Sequence, residues 1–151
     1  MMPFSKLLVP IDFAPHSAEA VLRAVDLAKL YGAELLLVYV YEPADYPVPD
    51  GHVVYTQEQF QRVTAEVQKR LDAARRDAEA AGAPRVSTRL LQGRAAQSIV
   101  ELASDERFDL IVMGTHGRTG VDRWVMGSVA EKVLRGAPCA VLAVKTSSPH
   151  E

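Results

Sequence analysis

The chain has 151 residues, 48% of them hydrophobic and 24% charged, with a formal net charge of −2, which excludes a disordered, collagen-like or membrane-embedded chain and a nucleic-acid binder that works by bulk electrostatics. The length suits a single domain over residues 1–151, and no break in composition divides it. Cys139 is the only cysteine, the longest apolar run ("LLLVYVY", 35–41) is far below the ~20 residues of a membrane helix, and the N-terminus lacks a signal-length apolar stretch, so a cytoplasmic protein without disulfides or membrane contact is expected.

The first predicted elements are "KLLVPI" (6–11) and "ELLLVYVY" (34–41), short apolar runs that read as strands buried on both faces. Between them "PHSAEAVLRAVDLAKLYG" (15–32) repeats apolar residues at Ala18, Val21, Val25 and Ala28, opens on Pro15 and stops at Gly32, the marks of a helix. Residues 42–55, with three prolines and a glycine, read as a loop that covers something. A long helix over 56–82 sets Phe60, Val63, Val67, Leu71, Ala74 and Ala78 on one stripe. Glu58/Arg62, Glu66/Arg70 and Asp72/Arg76 lie four apart on its solvated side, and Thr56 and Gln59 have capping-box spacing.

Next come strand 85–91, helix 95–106, strand "DLIVM" (109–113), a glycine-rich loop, helix "SVAEKVLRG" (128–136) and strand "CAVLAV" (139–144). Strands separated by helices need crossover connections, which makes this an α/β chain with a doubly wound, five-stranded parallel sheet and helices on both faces. In strand order 3-2-1-4-5 the switch point lies between the first and fourth strands, where ligands bind beyond the carboxyl ends. Asp12, after the first strand, should then face the loop "GTHGRTGVDRWVMGS" (114–128) across one crevice.

That loop keeps Gly114, Gly117, Gly120 and Gly127, which should need positive φ or close approach to a ligand. Ser128 and Glu131 have capping-box spacing at the following helix start, and a helix start offers unpaired N–H groups to an anion. No GxGxxG follows the first strand and no loop ends in Lys followed by Ser or Thr, so neither common phosphate motif is present. The five lysines all lie outside the loop, so phosphates held here would rest mainly on backbone N–H groups.

The spacing Gly114, two residues, Gly117, nine residues, Gly127 and Ser128 resembles the ATP-binding pattern of the universal stress protein family, and the likeness extends through "KLLVPIDF", "LQGRAAQSIVELA", "FDLIVMGTHGRTG" and "GSVAEKVLRGAPCAVLAVK". It implies a Rossmann-like, adenine nucleotide alpha hydrolase-like fold that binds ATP and magnesium. By this resemblance Pro10, Ile11 and Asp12 border the adenosine, with Asp12 near the ribose or a phosphate-bound magnesium. Val38 contacts adenine, Met113 and Gly114 lie by the ribose, and Gly117, Gly127, Ser128 and Val129 line the phosphates, with Arg118 the nearby loop charge. Ala14 stands where many members have a serine, which leaves Ser17 as the nearest hydroxyl to compensate.

Plainer readings stand beside these. Asp12 can cap the following turn, Ser128 can be an ordinary N-cap, Trp124 can anchor the loop by packing, and Cys139 can be a small core residue. His16 and His116 lack ligand-spaced partners for a metal site. The final strand carries neither charge nor proline before Lys145; such an edge invites pairing, and a homodimer through Cys139 to Val144 is expected, as the resemblance also implies. The absence of a loop lysine and of a base fixed by a third group favours a nucleotide-dependent regulatory or interaction module in the stress response. The alternatives are a slow ATPase or nucleotidyl-transfer enzyme using Asp12 with His16 or His116, and a dimeric interaction protein that binds no nucleotide.

Overall fold

The structure, a computed structural model, describes residues 4–42, 47–48, 51–52, 57–115 and 126–145. Its strands are β1 (Lys6–Pro10), β2 (Glu34–Tyr41), β3 (Pro47–Val48), β4 (Gly51–His52), β5 (Arg85–Gln92), β6 (Leu110–Gly114) and β7 (Ala140–Val144). The helices are α1 (Pro15–Tyr31), α2 (Gln57–Ala80), α3 (Ala95–Asp105) and α4 (Ser128–Gly136). Five strands form one sheet in the order β5-β2-β1-β6-β7, every pair parallel, which is the expected doubly wound order. The segment read as plain loop holds β3 and β4, a two-stranded antiparallel ladder whose strands are separated by two residues, the length of the shortest hairpin connections.

Alternation along the central strands divides the core. Leu7, Val9, Leu35, Leu37, Leu110 and Val112 pack against α1 and α2, whereas Leu8, Leu36, Val38, Ile111 and Met113 pack against α3 and α4. Burial on both faces is why these runs read as continuously apolar. On α1 the buried positions are Ser17, Ala20, Ala24, Val25 and Ala28; Ala18, assigned to the stripe from its spacing, is exposed. The helix ends as Gly32 takes φ 66° and Ala33 N–H reaches back to Ala28 O at 3.0 Å, closing the last carbonyls as a Schellman turn does.

Along α2 the stripe holds at Val67, Leu71 and Ala78, while Val63 faces solvent. Two of the charges spaced four apart meet other groups: Arg70 lies over the Phe13 ring, and Asp72 accepts a hydrogen bond from Gln68 Nε2 at 3.0 Å. Thr56, the expected cap, lies outside the described residues. Cys139 precedes β7 and is only half-buried, so it is no full core residue, and burial pushes its thiol pKa up.

At the amino edge of the sheet, Asp109 precedes β6 rather than starting it. Its carboxylate accepts from Ser5 N–H at 2.9 Å, Ser5 Oγ at 2.8 Å and Lys6 N–H at 3.2 Å. β1 and β6 are thereby tied at one end, which leaves them free to part at the other.

Candidate functional site

β1 and β6 pair only at Leu7 with Leu110 and Leu8 with Ile111, whereas β1 and β2 stay in register for the full length of β1. Backbone N–H groups alternate sides along a strand, and Ile11 N–H bonds to Val38 O on β2 at 2.8 Å. Position 10 therefore faces β6, and Pro10 has no N–H to give. The strands separate there, opening a cleft of about 520 Å³ at the carboxyl ends of β1, β2 and β6, within the usual size range of ligand sites.

Asp12 begins a tight turn: its Oδ1 accepts Ala14 N–H at 2.9 Å, and its own N–H donates to Ser17 Oγ at 3.4 Å. Ser17, only 6% exposed, donates in turn to Ala14 O at 3.0 Å, so its hydroxyl holds the loop that Ala14 cannot cap. Turn-capping and cleft-facing roles for Asp12 thus coexist. Between Asp12 and Ala14, Phe13 takes φ 63°, a left-handed conformation that costs a non-glycine residue roughly 1–2 kcal/mol. Its ring stacks on Tyr39 at 5.4 Å and 22°, with the Arg70 guanidinium 4.7 Å from the ring centre. Contacts of these two kinds contribute about 0.5–1.5 and 0.5–1 kcal/mol, enough to offset the strain.

Across the cleft, β6 ends at Gly114. A Cβ there would lie 2.7 Å from His16 Cβ and 2.9 Å from the His16 backbone carbon and oxygen, so this glycine lets the start of α1 pack against the strand end. The close approach expected of a ligand is here made by the protein's own backbone. Thr115, 2% exposed, donates its N–H to Val144 O at 3.1 Å and accepts Gly127 N–H at 2.6 Å, fixing both ends of the glycine loop.

Gly127, with φ −58° and ψ 154°, is the N-cap of α4, and Ser128 is the first helical residue with no side-chain cap bond. The expected capping box is therefore absent; Glu131 instead pairs with Arg135 at 2.8 Å. The first intrahelical bond runs from Glu131 N–H to Gly127 O, so helix geometry gives the N–H groups of Ser128, Val129 and Ala130 no acceptor within the helix. Those three residues line the cleft, which gives that end a partial positive charge. The start of α3 is treated oppositely, because Glu42 Oε1 accepts Ala95 N–H at 2.5 Å.

Of the residues singled out in the sequence, Pro10, Ile11, Asp12, Val38, Met113, Gly114, Gly127, Ser128 and Val129 all line this one cleft. Gly117, Arg118, His116, Gly120 and Trp124 lie outside the described residues. Tyr39, Glu42, Ile99 and Thr115 also line it and carried no signal in the sequence beyond their place near strand ends and helix starts. Among the described residues no group of three or more His, Cys, Asp or Glu is placed to hold a metal, and no helix is long and apolar enough to cross a membrane.

A model of the universal stress protein family matches residues 3–145. The chain belongs to this family. A universal stress protein of Methanocaldococcus jannaschii is 37% identical over 145 residues, covering 94% of this chain and 82% of the relative. One from Thermus aquaticus is 39% identical over 145 residues, covering 94% and 99%. Among solved structures, a universal stress protein in complex with cAMP superposes with a TM-score of 0.72 at 28% identity, covering 95% of this chain and 98% of that one. The cleft at the β1–β6 switch point is this universal stress protein's candidate ligand site.

Proposed function

We propose that this universal stress protein is a cytoplasmic stress-response module that binds ATP in the β1–β6 cleft and alters its interactions with nucleotide state. The observation that carries the reading is the two-ended character of the cleft. Ile11, Val38, Ile99 and Met113 supply an apolar wall for a base, and the N–H groups that open α4 supply a seat for phosphates. A related structure in complex with an adenine nucleotide, cAMP, supports the same ligand class. Asp12 would contribute one carboxylate toward a phosphate-bound magnesium, which suits a cation that is commonly held by one or two carboxylates plus phosphate oxygens. Gly117 and Arg118 would complete the phosphate seat.

Binding rather than turnover is the reading favoured by Asp12 itself, whose Oδ1 is engaged by Ala14 N–H in holding the turn. Ligand at 100 times its dissociation constant stabilises by ~2.7 kcal/mol, so magnesium ATP at that excess should raise the thermal midpoint of the stripped protein by roughly 5–10 °C. An unchanged midpoint with folding intact would sink the ATP reading.

The module is also proposed to be a homodimer through Cys139 to Val144. Among the described residues β7 pairs with β6 alone at the sheet edge, and Leu142 is 39% exposed. Light scattering at micromolar protein should give twice the chain mass; a monomeric mass contradicts the dimer.

A further inference from the structure

Phe13 is an unusual residue to find at φ 63°, because bulky side chains disfavour the left-handed region and neither Asn, Asp nor Gly chemistry assists it. The turn depends on that conformation: it lets Asp12 Oδ1 reach forward to Ala14 N–H while Asp12 stays on the cleft wall and Ser17 Oγ receives its N–H. The ring that enforces it is held by groups from two other elements, Tyr39 on β2 and Arg70 on α2. Both partners are distant in sequence and packed on the α1–α2 side of the sheet.

We infer that Phe13 is a positioning residue for the nucleotide cleft: its ring, held by Tyr39 and Arg70, fixes a left-handed backbone that aims Asp12 into the site. The inference rests on the nucleotide reading for its effect on affinity, but not for its effect on the turn. A purely packing role and a conformational role make different demands on substitutions. Alanine and glycine both delete the ring, yet only glycine adopts positive φ without cost.

The test compares the intact chain with Phe13→Ala, Phe13→Gly and Phe13→Tyr by two readouts, calorimetric ATP affinity and hydrogen exchange of the Ala14 amide followed by NMR. Phe13→Ala should weaken ATP binding and Ala14 protection by roughly tenfold, the factor that corresponds to the usual cost of a left-handed non-glycine residue. Phe13→Gly should lose only about threefold, since it pays conformational entropy alone, and Phe13→Tyr, which keeps the ring, should match the parent. Equal losses for alanine and glycine, or Ala14 protection unchanged in both, would overturn the inference. If the parent itself binds no nucleotide, the functional reading fails, and the Ala14 exchange order still decides the role of Phe13.

Discussion

Gly114→Ala should lower the thermal midpoint by roughly 6–12 °C, the equivalent of about 3 kcal/mol for a domain of this size. The added methyl carbon would sit 2.7 Å from His16 Cβ and 2.9 Å from two His16 backbone atoms, distances that force α1 or β6 to move. Because the three contacts are to Cβ and main chain, trimming the imidazole with His16→Ala removes none of them and should not rescue the variant. The displaced segment carries the Asp12 turn and buried Ser17, so nucleotide affinity should fall together with stability. A midpoint within about 2 °C of the parent would show that the helix start yields at little cost, against the usual 1–3 kcal/mol for overpacking.

Gly127→Val should have the opposite profile, a small loss of stability with a large loss of binding. The backbone at φ −58°, ψ 154° is open to any L residue, and exchanging a favourable glycine N-cap for an unfavourable valine costs about 0.5–1 kcal/mol. A branched side chain would, however, stand where phosphate must approach the N–H groups of Ser128 and Val129. Losing two charge-assisted hydrogen bonds of about 1.5–3 kcal/mol each weakens binding by roughly a hundredfold or more. At ATP sufficient to shift the parent by 5–10 °C, the variant should shift by about 1 °C or less. An undiminished shift in a folded Gly127→Val protein would remove the phosphates from the start of α4.

Much of this architecture was legible because its signals are local and repeated. Buried runs at β1, β2 and β6 separated by capped helical periods leave few topologies, and the switch-point rule then pairs Asp12 with the glycine loop from the element order alone. What the letters concealed were roles that depend on approach between distant segments. Gly114 read as ligand space, yet it makes room for His16. Ser128 had capping-box spacing, but Gly127 N–H is drawn to Thr115 O and Gly127 takes the cap position, so the helix starts one residue earlier than a serine cap requires. Phe13 carries no turn chemistry, and only its contacts with Tyr39 and Arg70 explain its backbone. Glu42, just past β2, closes the start of α3, a pairing of residues 53 apart that no short motif encodes.

The most direct single measurement is a calorimetric titration of magnesium ATP into the ligand-free protein beside Gly127→Val under the same conditions. Saturable binding at one site per chain in the parent, weakened roughly a hundredfold in the variant, is the expected result for phosphates seated on the first N–H groups of α4. No saturable heat in the folded parent, or equal affinity in both proteins, would contradict the β1–β6 cleft as a nucleotide site.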